Sequence, residues 1–262
     1  MKGTFLLGVG AQKAGTTWLY KALAAAPDVN FGITKEYHVW DAVYSEHCRE
    51  FRVAPEACLV RRKGPSIRYQ MQNEDGFYSK YFRDVLDTGC NLTGDITPSY
   101  ACLSADNFRK IRSTLQAIGA RLRVVFLMRD PFERNWSLVR MAKRKKGILI
   151  GDDEILLNCH ALIGNILRTR YDQTVRNLRA AFPEDELHFG LYETMHQENE
   201  IQRLSDFLDV SIDRAAIGQR HNASPKVEAI SPSTKAAVQD FYREVYEFCW
   251  TEFPDTRSYW QV

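Results

Sequence analysis

The segment Gly10-Ala11-Gln12-Lys13-Ala14-Gly15-Thr16-Thr17 follows the apolar run Phe5-Leu6-Leu7-Gly8-Val9 and precedes a helical pattern that begins at Thr16, Thr17 and Trp18. Two glycines, a lysine and adjacent hydroxyl residues at a strand-to-helix turn are suited to holding a phosphate. The backbone N–H groups of Gly15, Thr16 and Thr17 would face the anion at the positive end of the helix. The spacing nearly matches the loop that cradles nucleoside triphosphates. Gly10 and Gly15 have the right separation, and Thr17 takes the Ser/Thr position. Thr16 stands where that loop requires lysine, and a lysine comes earlier, at Lys13. The cradle is kept while the triphosphate apparatus is altered, which favours a different phosphate-bearing donor.

Two further segments could do chemistry. The run Val124-Val125-Phe126-Leu127-Met128 ends in Arg129, and Ser137 follows eight positions later. A guanidinium at the carboxyl end of a buried strand can grip a phosphate with paired hydrogen bonds, and a serine hydroxyl can add another. The structural alternative is a salt bridge from Arg129 to Asp130 or to a helix end, with Ser137 facing water; Arg134 is open between phosphate contact and structural ion pair. In Lys35-Glu36-Tyr37-His38, a carboxylate and an imidazole lie two residues apart. Either can take a proton from an attacking hydroxyl. The alternative is an exposed Lys–Glu pair beside a structural histidine.

These three segments, in this order, resemble the 5′-phosphosulfate loop, the 3′-phosphate motif and the Lys-Glu-x-His segment of sulfotransferases that use 3′-phosphoadenosine 5′-phosphosulfate (PAPS). The heparan-sulfate and carbohydrate branch is the nearest likeness. The resemblance runs in order along the chain and is sharp in these three stretches. It implies one sulfotransferase domain over residues 1–262, with an α/β, P-loop-like three-layer fold whose central parallel sheet is flanked by helices. It implies PAPS as co-substrate without a metal, bound by Lys13, Ala14, Gly15, Thr16, Thr17, Trp18, Arg129, Ser137 and Arg220. Lys13 would face the bridging oxygen, Lys35 the sulfuryl group or donor, and Glu36 would be the general base. His38 is the rival base, as histidine is in the cytosolic small-molecule sulfotransferases. The implied acceptor is a hydroxyl or amine, on a saccharide or glycolipid first, with a small natural product or a tyrosine also open.

The chain departs from the family in two places. Gly94-Asp95-Ile96-Thr97-Pro98-Ser99-Tyr100 stands where relatives carry Lys-Ser-Pro-x-Tyr. Thr97, Ser99 and Tyr100 are candidates for lining the acceptor cleft, or they form a tight turn with a buried tyrosine. Arg220 and Lys226 lie where relatives close a loop over the nucleotide, but the Lys-Gly-Arg form is missing. Trp40 is a candidate partner for a base or sugar face, or a core residue. A P-loop kinase using ATP and Mg²⁺ is the first alternative, and Thr16 argues against it. A non-catalytic nucleotide-binding module is the second.

The elements that must position these groups follow from composition and pattern. A chain of 262 residues with 45% apolar content can bury the core of one large α/β domain. Basic and acidic residues number 35 and 33, so no bulk nucleic-acid footprint exists. The basic run Arg140-Met141-Ala142-Lys143-Arg144-Lys145-Lys146 reads as a solvated helix end or as an attractor for an anionic acceptor. No apolar run approaches the ~20 residues of a membrane span. Met1-Lys2-Gly3 enters the first strand at once, so no signal peptide is expected, and the expected location is cytoplasmic unless an anchor has been trimmed away. The six scattered cysteines fit reduced thiols. Oligomeric state is left open.

Strands are expected at 4–10, Cys90 to Asp95, Leu122 to Met128 and Leu187 to Tyr192. Helices are expected at 16–26, ending near Pro27, at 104–118 with Ser104 or Asp106 as cap, and from the first turn at Pro131. Two helical pieces are expected within 153–181, then helices at 195–208 and 232–250. Residues 45–75 lack periodicity and read as a long loop or insertion. Strands alternating with helices imply a parallel sheet with right-handed crossovers.

Overall fold

The computed structural model describes residues 3–58, 63–212 and 228–262. Four strands form one parallel sheet: β1 (Thr4–Gly10), β2 (Leu92–Ile96), β3 (Arg121–Met128) and β4 (Leu187–Leu191), in the order β2-β1-β3-β4. All seven residues of β1 and all five of β2 are buried. β1 carries the apolar run expected of a strand covered on both faces, whereas β2 buries Thr93 and Asp95. Gly94 is required by this packing, since a Cβ there would meet the Leu6 side chain at 2.9 Å and its carbonyl closer still.

The helices are α1 (Thr16–Ala24), α2 (Trp40–Tyr44), α3 (Lys63–Asn73), α4 (Phe77–Leu86), α5 (Ala105–Gln116), α6 (Pro131–Lys146) and α7 (Asp152–Cys159). They continue with α8 (Ile163–Leu167), α9 (Tyr171–Arg179), α10 (Glu198–Leu208), α11 (Pro232–Phe241), α12 (Arg243–Glu252) and α13 (Thr256–Tyr259). This is the α/β fold with a central parallel sheet flanked by helices that the sequence implies.

Strand order locates the site. From β1 the chain crosses to β2 on one side, then returns past β1 to β3 on the other. The crevice at the carboxyl ends of β1 and β3 is therefore the switch point where open α/β sheets bind ligands. The glycine loop leaves β1 there, and Arg129 leaves β3 there. The two are tied together: Ala11 N–H donates to the Leu127 carbonyl at 2.6 Å, and Arg129 Nη1 donates to the Lys13 carbonyl at 3.2 Å.

Several boundaries differ from the sequence expectation. Residues 45–75 are not one loop: two short 3-10 turns at Glu46–Phe51 and Pro55–Cys58 lead into α3. The stretch 153–181 breaks into three helices rather than two, and 232–250 divides at Tyr242. Ser104 is the cap of α5, in a reciprocal capping box with Asn107. No helix of the described residues is long and apolar enough to cross a membrane. Cys48, Cys90, Cys102, Cys159 and Cys249 are free thiols.

Candidate active site

Gly15 has φ +94° and begins α1 without any side-chain cap, the arrangement in which first-turn N–H groups can receive an anion. A Cβ at Gly15 would meet Met195 Sδ at 2.5 Å in a backbone conformation that disfavours side chains. Lys13 and His38 also hold left-handed backbone, at φ +70° and +52°. Such conformations in residues other than glycine persist only where surrounding contacts enforce them. Ala14 is buried, and Trp18 sits 4% exposed with its ring edge against His196 at 5.0 Å.

Lys13 Nζ reaches Met141 Sδ on α6 at 3.7 Å. Burial, followed by the charges of Arg129, Arg144, Arg140 and Lys145, lowers its pKa to about 8. Arg129 ion-pairs with Glu133 at 3.1 Å, not with Asp130, and stacks over the Tyr192 ring at 4.3 Å. Asp130 instead caps α6 by accepting from Glu133 N–H at 2.9 Å. Arg129 Nε is buried and meets no acceptor among the described residues. Ser137 lies on the buried face of α6 rather than in water. Arg134 is fully buried within the protein. A cavity of about 630 Å³ opens beside Arg129, lined also by Glu133, Tyr192, His196, Lys235 and Tyr259.

On the other side of the glycine loop, Lys35 Nζ donates to Thr16 Oγ1 at 3.1 Å and to Glu36 Oε1 at 2.7 Å. Glu36 Oε2 faces His38 Nε2 at 3.4 Å, and His38 Nδ1 lies 2.7 Å from Asp41 Oδ2. The result is a line Thr16–Lys35–Glu36–His38–Asp41. Glu36 is its accessible member, with 38% of its side chain exposed against 11% for His38 and 0% for Asp41. Burial alone would raise the Glu36 pKa, but hydrogen bonds from His38 and Lys35 outweigh it and bring it to about 2. Burial alone would lower His38, but Asp41 and Glu36 outweigh it and raise it to about 9. The imidazole is therefore a cation at neutral pH, clamped flat on Phe51 with ring centres 3.7 Å apart.

The segment carrying these groups is held on several sides. Ile96 N–H donates to the Lys35 carbonyl at 3.0 Å, which fixes Lys35 at the end of β2. Thr97 Oγ1 accepts from the N–H groups of Tyr37 at 3.1 Å and His38 at 3.3 Å. Thr97 in turn donates to Asp95 at 2.6 Å, and Tyr100 does the same at 2.6 Å. Arg68 Nε and Gln72 Nε2, both on α3, donate to the Tyr37 and His38 carbonyls at 2.7 Å each.

The structure thus brings Lys13, Ala14, Gly15, Thr16, Thr17, Trp18 and Arg129 to one end of the sheet, with Lys35, Glu36 and His38 joined to them through Thr16, while Ser137 lies on the buried face of α6. Where the sequence left two readings open, at Thr97, Ser99 and Tyr100 and at Trp40, the structure shows the buried one. Tyr100 and Thr97 are fully buried and bonded to Asp95, so they support the Glu36 segment rather than line a cleft. Ser99 accepts from Arg168 Nη2 at 3.2 Å. Trp40 packs on Tyr78 at 4.7 Å in the core and offers no face to a ligand. Arg220 and Lys226 fall outside the described residues. Sequence reasoning missed Asp41, Arg68 and Gln72. Asp41 had a local signal, a carboxylate three residues after a histidine; the other two had none.

A glycine loop at the switch point of a parallel sheet, hydrogen-bonded to the arginine that follows the neighbouring strand, sits in an α/β fold flanked by helices. Residues 4–231 match the sulfotransferase domain family, and the chain belongs to it. Similar solved structures include a sulfotransferase from Alicyclobacillus acidocaldarius, 16% identical, with 99% of this chain and 96% of that one covered and a TM-score of 0.62. The sulfotransferase domain of the Synechococcus PCC 7002 olefin synthase is 14% identical over 95% of this chain and 93% of that one, with a TM-score of 0.53. Mouse sulfotransferase SULT7A1, complexed with PAP, is 11% identical over 97% of this chain and 88% of that one, also at 0.53. At these identities the likeness is one of fold. No curated protein sequence matches the chain.

Proposed function

We propose that this chain is a single-domain sulfotransferase that moves a sulfuryl group from PAPS to a hydroxyl or amine, with a saccharide or glycolipid as the acceptor class. The observation that carries the reading is the bridge from Thr16 on the anion loop through Lys35 to Glu36. It joins a donor site to a carboxylate facing solvent. The uncapped start of α1 and the unused Arg129 Nε fit a ligand with two separated phosphates. The cavity beside Arg129 has room for a nucleoside.

In this reading the first-turn N–H groups of α1 and Lys13 hold the 5′ side, and Arg129 with Ser137 holds the 3′-phosphate. Arg220 belongs to the same proposal. The acceptor oxygen attacks sulfur, the bond from sulfur to the bridging phosphate oxygen breaks, and the electron pair stays on that oxygen beside Lys13. The acceptor proton passes to Glu36. Exposure favours Glu36 over His38 as the base, because both His38 nitrogens already face carboxylates. His38 and Asp41 then orient Glu36, and Lys35 moves between Glu36 and the sulfuryl oxygens. As Lys35 turns toward the donor, Glu36 loses a partner that held its pKa down and becomes a better base.

Transfer of radiolabelled sulfur from PAPS to a panel of saccharides and glycolipids tests the reading. Glu36→Gln should lower turnover by ~10²–10⁴ while leaving nucleotide affinity and melting temperature near wild type. If His38→Ala abolishes turnover while Glu36→Gln remains active, the base is His38 and the assignment to Glu36 fails.

A further inference from the structure

Arg140 lies almost one turn beyond Ser137 on α6 and is only 8% exposed. Its guanidinium stacks over the Trp136 ring at 4.4 Å, which fixes the plane of its donors. Its Nε and Nη1 are buried and meet no acceptor among the described residues. The nearby carboxylates have other partners. Glu133 pairs with Arg129 at 3.1 Å, while Asp152 takes Lys143 at 3.0 Å and Trp136 Nε1 at 2.8 Å. Burial lowers the Arg140 pKa most; Glu133 opposes this, the charge of Arg129 adds to it, and Arg140 in turn helps depress Lys13. A buried guanidinium with two unused donors is costly unless an acceptor answers them.

We propose that Arg140 is an anion ligand of the donor site, taking a phosphate oxygen at the Arg129 end. The inference rests on the donor reading above and adds a second guanidinium to it. The basic run is thereby divided. Arg140 belongs to the buried binding face, whereas Lys145 and Lys146 lie on the exposed end of the helix.

The proposal makes an unusual prediction for stability. Removing half of a structural ion pair destabilises a protein, but removing an unanswered buried charge does not. Arg140→Met keeps the stem that lies on Trp136. Its melting temperature without ligand should equal or exceed that of wild type. Its affinity for 3′-phosphoadenosine 5′-phosphate, measured by calorimetry, should fall by about tenfold or more, with partial recovery in Arg140→Lys. Wild-type affinity in Arg140→Met would overturn the proposal. So would a lower ligand-free melting temperature with an unchanged ligand-induced rise. If wild-type protein does not bind the bisphosphate at all, the donor reading fails, and inorganic pyrophosphate becomes the probe. Stabilisation by pyrophosphate that requires Arg140 would keep the anion site, and its absence would remove it.

Discussion

Lys35 and Thr16 are joined at 3.1 Å, Nζ to Oγ1, although nineteen positions separate them in the chain. This contact ties the Lys35–His38 segment to the glycine loop. In the proposed reading it also places one ammonium between donor and base. The same Nζ holds Glu36 at 2.7 Å and helps keep that carboxylate ionised.

Lys35→Met should therefore do two things. Turnover should fall, and the acid limb of the pH–rate profile should move to higher pH. The sign follows from the charge: without the ammonium, Glu36 binds a proton more readily and is lost as a base earlier on acidification. An unchanged acid limb would mean that Lys35 does not govern the group that titrates.

His38 links the same line of residues to stability. Its pKa is raised to about 9 in the folded protein, so its protonation stabilises the fold. That contribution is complete below the ordinary histidine value of about 6.5 and is lost as pH rises through about 9. The melting-temperature gap between wild type and His38→Gln should be widest in the acidic part of this range and should shrink above it. A gap that does not change with pH would show that Asp41 and Glu36 do not hold the imidazole charged.

Arg129→Ala separates the two ends of the donor site. Affinity for 3′-phosphoadenosine 5′-phosphate should drop by on the order of 1.5–3 kcal/mol. Binding of adenosine 5′-phosphosulfate, which lacks the 3′-phosphate, should barely change. Equal losses for both ligands in a titration would place the damage at the 5′ side or in the fold.

How much of this was legible depends on how local each signal is. The glycine loop and Arg129 announce themselves because strand, turn and helix start are contiguous in sequence. Lys35, Glu36 and His38 are visible as residue types, but their order in space is not. That Glu36 faces outward while His38 is clamped on Phe51 depends on a 3-10 turn at Glu46–Phe51 that pattern reading leaves as loop. α3 was hidden for a similar reason. Gly64 and Pro65 punctuate its first turn, and its polar sequence shows no apolar stripe, yet Arg68 and Gln72 on it hold the backbone of the site. Thr97, Ser99 and Tyr100 were open between acceptor cleft and buried turn because their burial is set by tertiary packing. Arg140 was hidden inside a basic run, where sequence cannot tell the buried face of a helix from its wet one.

The central claim is that the loop holds a bisphosphorylated nucleotide rather than a triphosphate, and calorimetry tests it without any acceptor. Wild-type protein should bind 3′-phosphoadenosine 5′-phosphate far more tightly than ATP, with a chelator present and no Mg²⁺ added. Lys13→Ala should weaken that binding, since in the proposed reading Lys13, beside Arg129 and Arg140, holds the 5′ side of the donor. Equal affinity for the two nucleotides, or binding that appears only with Mg²⁺, would contradict the account and return a phosphoryl-transfer reading to first place.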